Sequence, residues 1–188
     1  MDEAGQVRNE KLDPEREAVR QTALAQIRQY PDPVLRLRAR EVEQYDDDLK
    51  RLAERMVKLM QDANGVGLAA NQVGIVRRVF VFQPDADSEP VAIVNPVIVE
   101  RGGEAVSDEE GCLSMQGVQV PVERASTVRL EGHDPEGGEI SFELTELGAR
   151  VAQHELDHLD GVLILDRTTD EARSEALGIL RPRAVLAP

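Results

Sequence analysis

The sequence predicts an α+β domain, with antiparallel β-sheets packed around a central metal-binding helix and an N-terminal amphipathic helix. Three observations support this prediction: one amphipathic helical run, a series of short β-type runs between residues 79 and 144, and a later helix that carries two histidines. Helices that are separated along the chain from a run of strands are typical of the α+β class. The 188 residues are enough for one hydrophobic core, which predicts a single domain.

The amphipathic helix is predicted over residues 48–63. Its apolar side chains recur at three- and four-residue spacing, which places them on one helical face, and Asn64-Gly65 supplies a stop signal. Proline and glycine then divide a series of β-type segments. The predicted strands are 79–82, 91–94, 97–100, 118–122, 127–131 and 140–144, and a second helix starts near Thr145 with Glu146 in its first turn.

The second helix carries Gln-His-Glu-Leu-Asp-His at residues 153–158. Residues i and i+4 share a helical face, so His154 and His158 could hold one metal ion, with the carboxylate of Glu155 close enough to move a proton. A chance match on a charged surface helix is the alternative. The spacing favours hydrolytic metal chemistry.

A catalytic zinc-type site needs a third protein ligand. The position at which extended zincin motifs place a third histidine is Ile164, and the acids downstream have no distinctive context. His133 lies in a Gly/Asp/Pro-rich stretch that predicts an exposed turn. Cys112, in Glu-Gly-Cys-Leu-Ser at residues 110–114, would supply a soft thiolate for Zn(II) or Fe(II). A lone cysteine is often only a small buried apolar residue, but the incomplete histidine pair favours Cys112 as the third ligand.

A third unusual segment is the glycine-rich stretch at residues 64–74. It lacks the ending of a phosphate loop and the glycine spacing of a dinucleotide fingerprint, which disfavours nucleotide binding. Its small residues would let a ligand approach the main chain, and the Gln72 amide could donate to a developing oxyanion. A tight helix-to-strand connection is the alternative interpretation.

In chain order, residues 65–72, 110–114 and 153–158 resemble the three signature segments of the peptide deformylases: Gly-x-Gly-Leu-Ala-Ala-x-Gln, Glu-Gly-Cys-Leu-Ser and Gln-His-Glu-x-Asp-His. The resemblance implies that Cys112, His154 and His158 bind the metal and that Glu155 is the catalytic carboxylate. It implies that Gln72 and the Leu113 N–H hold the formyl oxygen. It further implies that Gly67 meets the substrate main chain, and that Glu110 and Arg124 form a supporting ion pair.

The implied activity is removal of the N-formyl group from formyl-methionine at the N-terminus of newly made polypeptides, with release of formate. The resemblance implies one divalent metal ion per chain, Fe(II) natively, with Zn(II) or Ni(II) as substitutes. We expect Val66, Leu147 and Val151 to line the methionine pocket. A zincin-like peptidase and a non-catalytic, ribosome-associated metal-binding protein are the alternatives.

The resemblance divides the chain into a polar extension at 1–25, helical or disordered, a catalytic domain at 26–170 and a C-terminal tail at 171–188. The net charge is −14, and the segment from residue 85 to residue 110 contains eight acidic residues and only one arginine. Such a field disfavours DNA as a partner. No apolar run reaches the roughly 20 residues that span a bilayer. We expect a cytoplasmic monomer that acts on nascent formyl-methionyl peptides, with transient ribosome contact.

Overall fold

The structure is a computed structural model, and it describes residues 3–4, 6–8, 11–85 and 87–181. Within these ranges a five-stranded antiparallel sheet has the order β3-β4-β5-β6-β7. A separate pair of two-residue strands, β1 and β2, forms an N-terminal hairpin. The strands are β1 (Glu3–Ala4), β2 (Val7–Arg8), β3 (Gly67–Ala69), β4 (Val79–Phe82), β5 (Val91–Cys112), β6 (Met115–His133) and β7 (Glu139–Thr145).

Four α-helices accompany the sheet: α1 (Pro14–Leu24), α2 (Asp47–Asp62), α3 (Glu146–Leu159) and α4 (Asp170–Leu180). The first of the two predicted helices corresponds to α2, whose N-cap Asp46 accepts a hydrogen bond from the Leu49 N–H at 2.9 Å. The second corresponds to α3, whose N-cap is Thr145. The predicted α+β class with antiparallel strands is therefore confirmed.

The strands differ from the prediction in length. Segments 91–94 and 97–100 belong to one strand, β5, and segments 118–122 and 127–131 belong to β6. Proline and glycine lie where the β5–β6 register shifts, between Val94 and Val97 and between Gly102 and Ala105. These irregularities bend the ladder without ending it. The prediction of separate short strands is wrong here for that reason.

His133 is also placed differently from the prediction. It is the last residue of β6 and pairs with Glu139 of β7, while the turn occupies residues 134–138. Its ring packs against Tyr45, with ring centroids 5.7 Å apart. The imidazole is therefore half-buried at a strand end, and the prediction of an exposed loop residue is wrong.

The sheet lies between helices α2 and α3. Side chains of β4 alternate between two apolar clusters: Val79 and Val81 pack in the cluster that contains α2, and Phe80 and Phe82 in the cluster that contains α3. This alternation follows from the two-residue period of a strand. Most residues of α3 are buried, so its two histidines lie in the protein interior.

Both ends of the described chain pack onto the domain. Helix α1, inside the predicted extension, buries Ala23 and Leu24, and Leu24 lies in the apolar cluster of α2. Helix α4, inside the predicted tail, buries Ala176 in a cluster with residues of β6. Part of each predicted terminal segment lies outside the described residues. No helix in the described ranges is long and apolar enough to cross a bilayer.

Candidate metal centre

Helix α3 and the end of β5 bring three potential metal ligands together. His154 and His158 lie one helical turn apart, and their Nε2 atoms are separated by 3.1 Å. The Sγ atom of Cys112, the last residue of β5, lies 3.3 Å from Nε2 of His158. The three ligand atoms all lie within 4.8 Å of one another, and all three residues are buried.

These separations fit a small divalent ion. In a tetrahedral zinc site with metal–nitrogen bonds of about 2.0–2.1 Å and metal–sulfur bonds of about 2.3 Å, the nitrogens are about 3.3 Å apart, and nitrogen and sulfur about 3.5 Å. The His154–His158 and Cys112–His158 separations lie within a few tenths of an ångström of those spacings. Two imidazoles and a thiolate suit Zn(II) and Fe(II).

Burial controls the protonation of the ligands. It raises the pKa of the Cys112 thiol well above its ordinary range, and the charges of Glu155 and Glu110 add to this effect. Burial also holds the pKa of His158 well below its ordinary value, and electrostatic interactions with His154 and Arg124 act in the same direction. His158 is therefore neutral and has a lone pair available, whereas Cys112 would have to release its proton in order to bind a cation as a thiolate.

A buried charge network orients His154. Its Nδ1 atom lies 3.0 Å from Oε2 of Glu110, which directs Nε2 of the same ring to the centre. Arg124 donates to both oxygens of Glu110 at 2.9 and 3.0 Å, and Arg150 donates to Oε1 at 2.8 Å. Burial alone would raise the pKa of Glu110, but the hydrogen bonds from His154 and Arg124 outweigh it and hold this pKa far below its usual range.

Glu155 lies beside the three ligands and is completely buried. Burial raises the pKa of its carboxyl group well above the ordinary value. The hydrogen bond from Gln6 lowers this pKa, whereas the charge of Glu110 raises it further. The backbone of Gly67 passes directly against this carboxylate, because a Cβ atom built on Gly67 would overlap Oε1 of Glu155. A buried carboxyl group with a raised pKa is suited to accept and return a proton.

Two N–H donors converge on one oxygen atom in the same region. The Leu113 backbone N–H and the Gln72 side-chain Nε2 lie 2.8 and 3.0 Å from Oε1 of Gln6. The same Gln72 amide also lies 3.0 Å from the Ser114 hydroxyl oxygen and 3.7 Å from Sγ of Cys112. Two donors aimed at one point can stabilise an oxyanion there.

Two of the three residues predicted to line the methionine pocket, Val66 and Val151, are buried in one apolar cluster, and the third, Leu147, lies at its edge. Val151 lies beside Gly67, with Cγ1 2.9 Å from the position of a Cβ on that glycine, and Val66 is buried in the same apolar cluster. Leu147 packs at the edge of this cluster and lines a cavity of about 360 Å³ together with Ala125 and Arg150.

Sequence reasoning missed Gln6, which is completely buried in the centre. Its Nε2 atom donates to Oε1 and Oε2 of Glu155 at 2.9 and 3.1 Å. Gln6 belongs to no motif, and it is 149 residues distant from Glu155 along the chain. No local pattern of the sequence could have predicted this contact.

Comparisons with known proteins identify one family. The family model described as polypeptide deformylase matches residues 24–174. A peptide deformylase from Clostridium botulinum is 47% identical over 147 residues, which cover 78% of this chain and 98% of that relative. A peptide deformylase from Desulforudis audaxviator is 44% identical over 147 residues, covering 78% of this chain and 95% of the relative.

Solved structures give the same result. A crystal structure of peptide deformylase from Thermotoga maritima superposes with a TM-score of 0.72 at 45% identity, covering 76% of this chain and 96% of that one. A crystal structure of a peptide deformylase from Legionella pneumophila gives a TM-score of 0.77 at 38% identity, covering 82% of this chain and 91% of that one. With a matching family model, matching folds and all three signature segments in place, the chain belongs to the peptide deformylase family.

Proposed function

We propose that this deformylase removes the N-formyl group from formyl-methionine at the N-terminus of newly made polypeptides and releases formate. The observation that carries the proposal is the convergence of the Leu113 and Gln72 N–H groups on one oxygen, beside three metal-ligand atoms and a buried carboxylate. This arrangement provides both an oxyanion site and a proton carrier for the hydrolysis of a small amide.

Cys112, His154 and His158 would hold one divalent metal ion, natively Fe(II), with Zn(II) or Ni(II) as substitutes. When bound, such an ion supplies Lewis acidity that polarises a carbonyl group and lowers the pKa of water. Glu110 fixes the ring of His154 through Nδ1, and Arg124 holds Glu110 in place. A carboxylate that hydrogen-bonds a metal-binding histidine keeps its ring orientation and raises its basicity.

Glu155 is the proton carrier in this proposal. It takes a proton as water attacks the formyl carbon and returns that proton to the amine that leaves. The Leu113 N–H and the Gln72 amide hold the formyl oxygen as it becomes negative. Gly67, whose missing side chain leaves room against Glu155, lets the substrate main chain approach the centre. Val66, Val151 and Leu147 would line the pocket for the methionine side chain.

The proposed substrate places the enzyme in the cytoplasm, where it acts on nascent formyl-methionyl peptides with transient contact to the ribosome. We propose that it works as a monomer. Its net charge of −14 supports the absence of DNA among its partners, because a strongly negative protein is repelled by the phosphate backbone.

The test is formate release from formyl-Met-Ala-Ser by protein purified without oxygen and loaded with Fe(II), Zn(II) or Ni(II). We expect release with the formyl peptide, but no cleavage of acetyl-Met-Ala-Ser or casein. Cleavage of casein without formate release would instead support a zincin-like peptidase. Stoichiometric metal binding without either activity would support a non-catalytic metal-binding protein.

A further inference from the structure

The N-terminal hairpin inserts its tip into the catalytic centre. The strands β1 and β2 pair with each other, and Gln6 lies between them with its side chain completely buried. The Gln6 backbone N–H donates to the Gly111 carbonyl at 3.2 Å, and the Val66 N–H donates to the Gln6 carbonyl at 3.0 Å. The tip is therefore held by main-chain hydrogen bonds on two sides, one at the end of β5 and one at the glycine-rich segment.

The Gln6 carboxamide occupies the positions that the proposed mechanism gives to the substrate amide. Its Oε1 atom accepts from the Leu113 N–H at 2.8 Å and from Gln72 Nε2 at 3.0 Å. Its Nε2 atom donates to both oxygens of Glu155. A formamide group has the same two functions, a carbonyl oxygen and a nitrogen, joined through one carbon.

We propose that the β1–β2 hairpin is an internal pseudosubstrate, and that the Gln6 carboxamide competes with N-formyl peptides for the catalytic centre. The proposal rests on the proposed function. The point that lies within hydrogen-bond distance of both the Leu113 N–H and Gln72 Nε2 has room for one oxygen atom, so the Gln6 and formyl oxygens cannot occupy the oxyanion site together. The enzyme must release the hairpin tip before a substrate binds.

Two further observations support a separate, competing segment. The family model matches residues 24–174, so Gln6 lies outside the part of the chain that this family defines. The segment is also covalently attached to the domain, and a tethered group competes at a millimolar effective concentration even when its own contacts are weak. Val7 packs against the apolar cluster of α2 and adds a modest anchor next to the tip.

The experiment compares the full-length, metal-loaded enzyme with Gln6→Ala and with Gln26→Ala. Gln26 is exposed just after α1, and its variant controls for loss of a glutamine side chain. An enzyme molecule whose tip is docked cannot bind substrate. The apparent KM therefore equals the intrinsic KM divided by the fraction of molecules whose tip is released. We expect Gln6→Ala to lower KM for formyl-Met-Ala-Ser by about fivefold or more with kcat unchanged within about twofold, while Gln26→Ala matches the wild type.

A second measurement does not depend on turnover. Titration calorimetry with the product peptide Met-Ala-Ser should give a lower Kd for Gln6→Ala than for the wild type, at equal metal content. The peptide acetyl-Ala-Gly-Gln-Val-Arg-amide, added to Gln6→Ala, should raise KM and leave kcat unchanged.

The outcomes separate the two proposals. If neither the wild type nor Gln6→Ala releases formate, the proposed function fails. If all three proteins release formate with the same KM, or if Gln6→Ala raises KM or lowers kcat severalfold, the pseudosubstrate proposal is overturned and the proposed function stands. A merely structural role for Gln6 would lower the melting temperature of the variant and would not tighten peptide binding.

Discussion

Nδ1 of His154 lies 3.0 Å from Oε2 of Glu110 in the protein interior, and Nε2 of the same ring lies 3.1 Å from Nε2 of His158. The Glu110 carboxylate thus fixes the Nδ1 side of the imidazole, while the Nε2 side faces the candidate metal centre. If His154 donates its Nδ1–H to Glu110, the resulting tautomer leaves the Nε2 lone pair available for a metal ion.

Replacing Glu110 should weaken metal binding without removing a ligand. Loss of a carboxylate that orients a metal-binding histidine typically lowers metal affinity by about 10–100-fold. We expect Glu110→Gln to show a loss of this size for Zn(II), measured by competition with a chromophoric chelator. The neighbouring residue Glu109 is exposed, so Glu109→Gln is the matched control and should bind zinc as the wild type does.

Cys112→Ser should lose metal more severely than Glu110→Gln. A neutral hydroxyl group is a much poorer donor than a thiolate. Metal content after gel filtration should fall well below one ion per chain, and formate release should fall with it. Ser114→Ala removes a nearby hydroxyl and should keep the metal. Full metal occupancy in Cys112→Ser would exclude the thiolate as a ligand.

Glu155→Ala should separate catalysis from metal binding. Glu155 is not one of the three converging ligand residues, so the variant should keep one metal ion per chain. Removal of a positioned general base costs about 10²–10⁴-fold in rate, and we expect kcat for formate release to fall by at least about 10²-fold. Glu175 is an exposed carboxylate on α4, and Glu175→Ala should retain wild-type turnover. Normal turnover in metal-loaded Glu155→Ala would remove this residue from the mechanism.

Gly67→Ala should destabilise the protein because its Cβ would overlap the carboxylate of Glu155 and lie 2.9 Å from Cγ1 of Val151. Overpacking of this kind typically costs about 1–3 kcal/mol, which urea unfolding can measure. The penalty should be smaller in a Glu155→Ala background, since that change removes the overlapping oxygen. Gly178→Ala on α4 meets no neighbouring atom and should be neutral or slightly stabilising. Equal penalties in both backgrounds would contradict the overlap.

Asp166 should make a small pH-dependent contribution to stability. Burial alone would raise the pKa of its carboxyl group, but hydrogen bonds from Arg36 and from the Leu163 N–H lower it. A carboxyl group with a lower pKa in the folded state stabilises the protein above its unfolded pKa of about 3.9 and loses this contribution as pH falls.

We therefore expect Asp166→Asn to reduce the free energy of unfolding at pH 7 by less than about 1 kcal/mol, because the Arg36–Asp166 pair is partly exposed. The difference between wild type and variant should shrink as pH falls below about 4. Urea unfolding of both proteins between pH 3 and pH 7 tests this. A difference that grows toward low pH would contradict the direction of the shift.

Helices α2 and α3 could be predicted closely because each carries a periodic signal. The apolar spacing of α2 and the paired histidines of α3 depend only on residues within a few turns. The three candidate ligands could be selected from the sequence because chemistry restricts metal ligands to a few residue types. Their actual meeting point depends on the packing of α3 against the end of β5, which no local pattern encodes.

The outer half of β5 could not be predicted for a physical reason. Residues 103–109 are exposed, so no alternation of apolar and polar side chains marks them as a strand. They are held in the sheet by the backbone ladder to β6, which depends on the partner strand and not on their own sequence. The position of Gln6 could not be predicted either, because the hydrogen-bond partners of its side chain lie 66 to 149 residues away along the chain.

The β5–β6 turn limits where this fold can change in length. Cys112 pairs with Met115, so Leu113 and Ser114 alone form the turn. The last residue of β5 and the two turn residues carry a candidate ligand sulfur, an N–H donor and a hydroxyl group at three successive positions, all buried. A single residue inserted in this turn would change the position of the Leu113 N–H relative to the Cys112 sulfur. The β6–β7 turn at residues 134–138 carries none of these groups. We therefore expect insertions and deletions among deformylases of this type to be found at that end of the sheet.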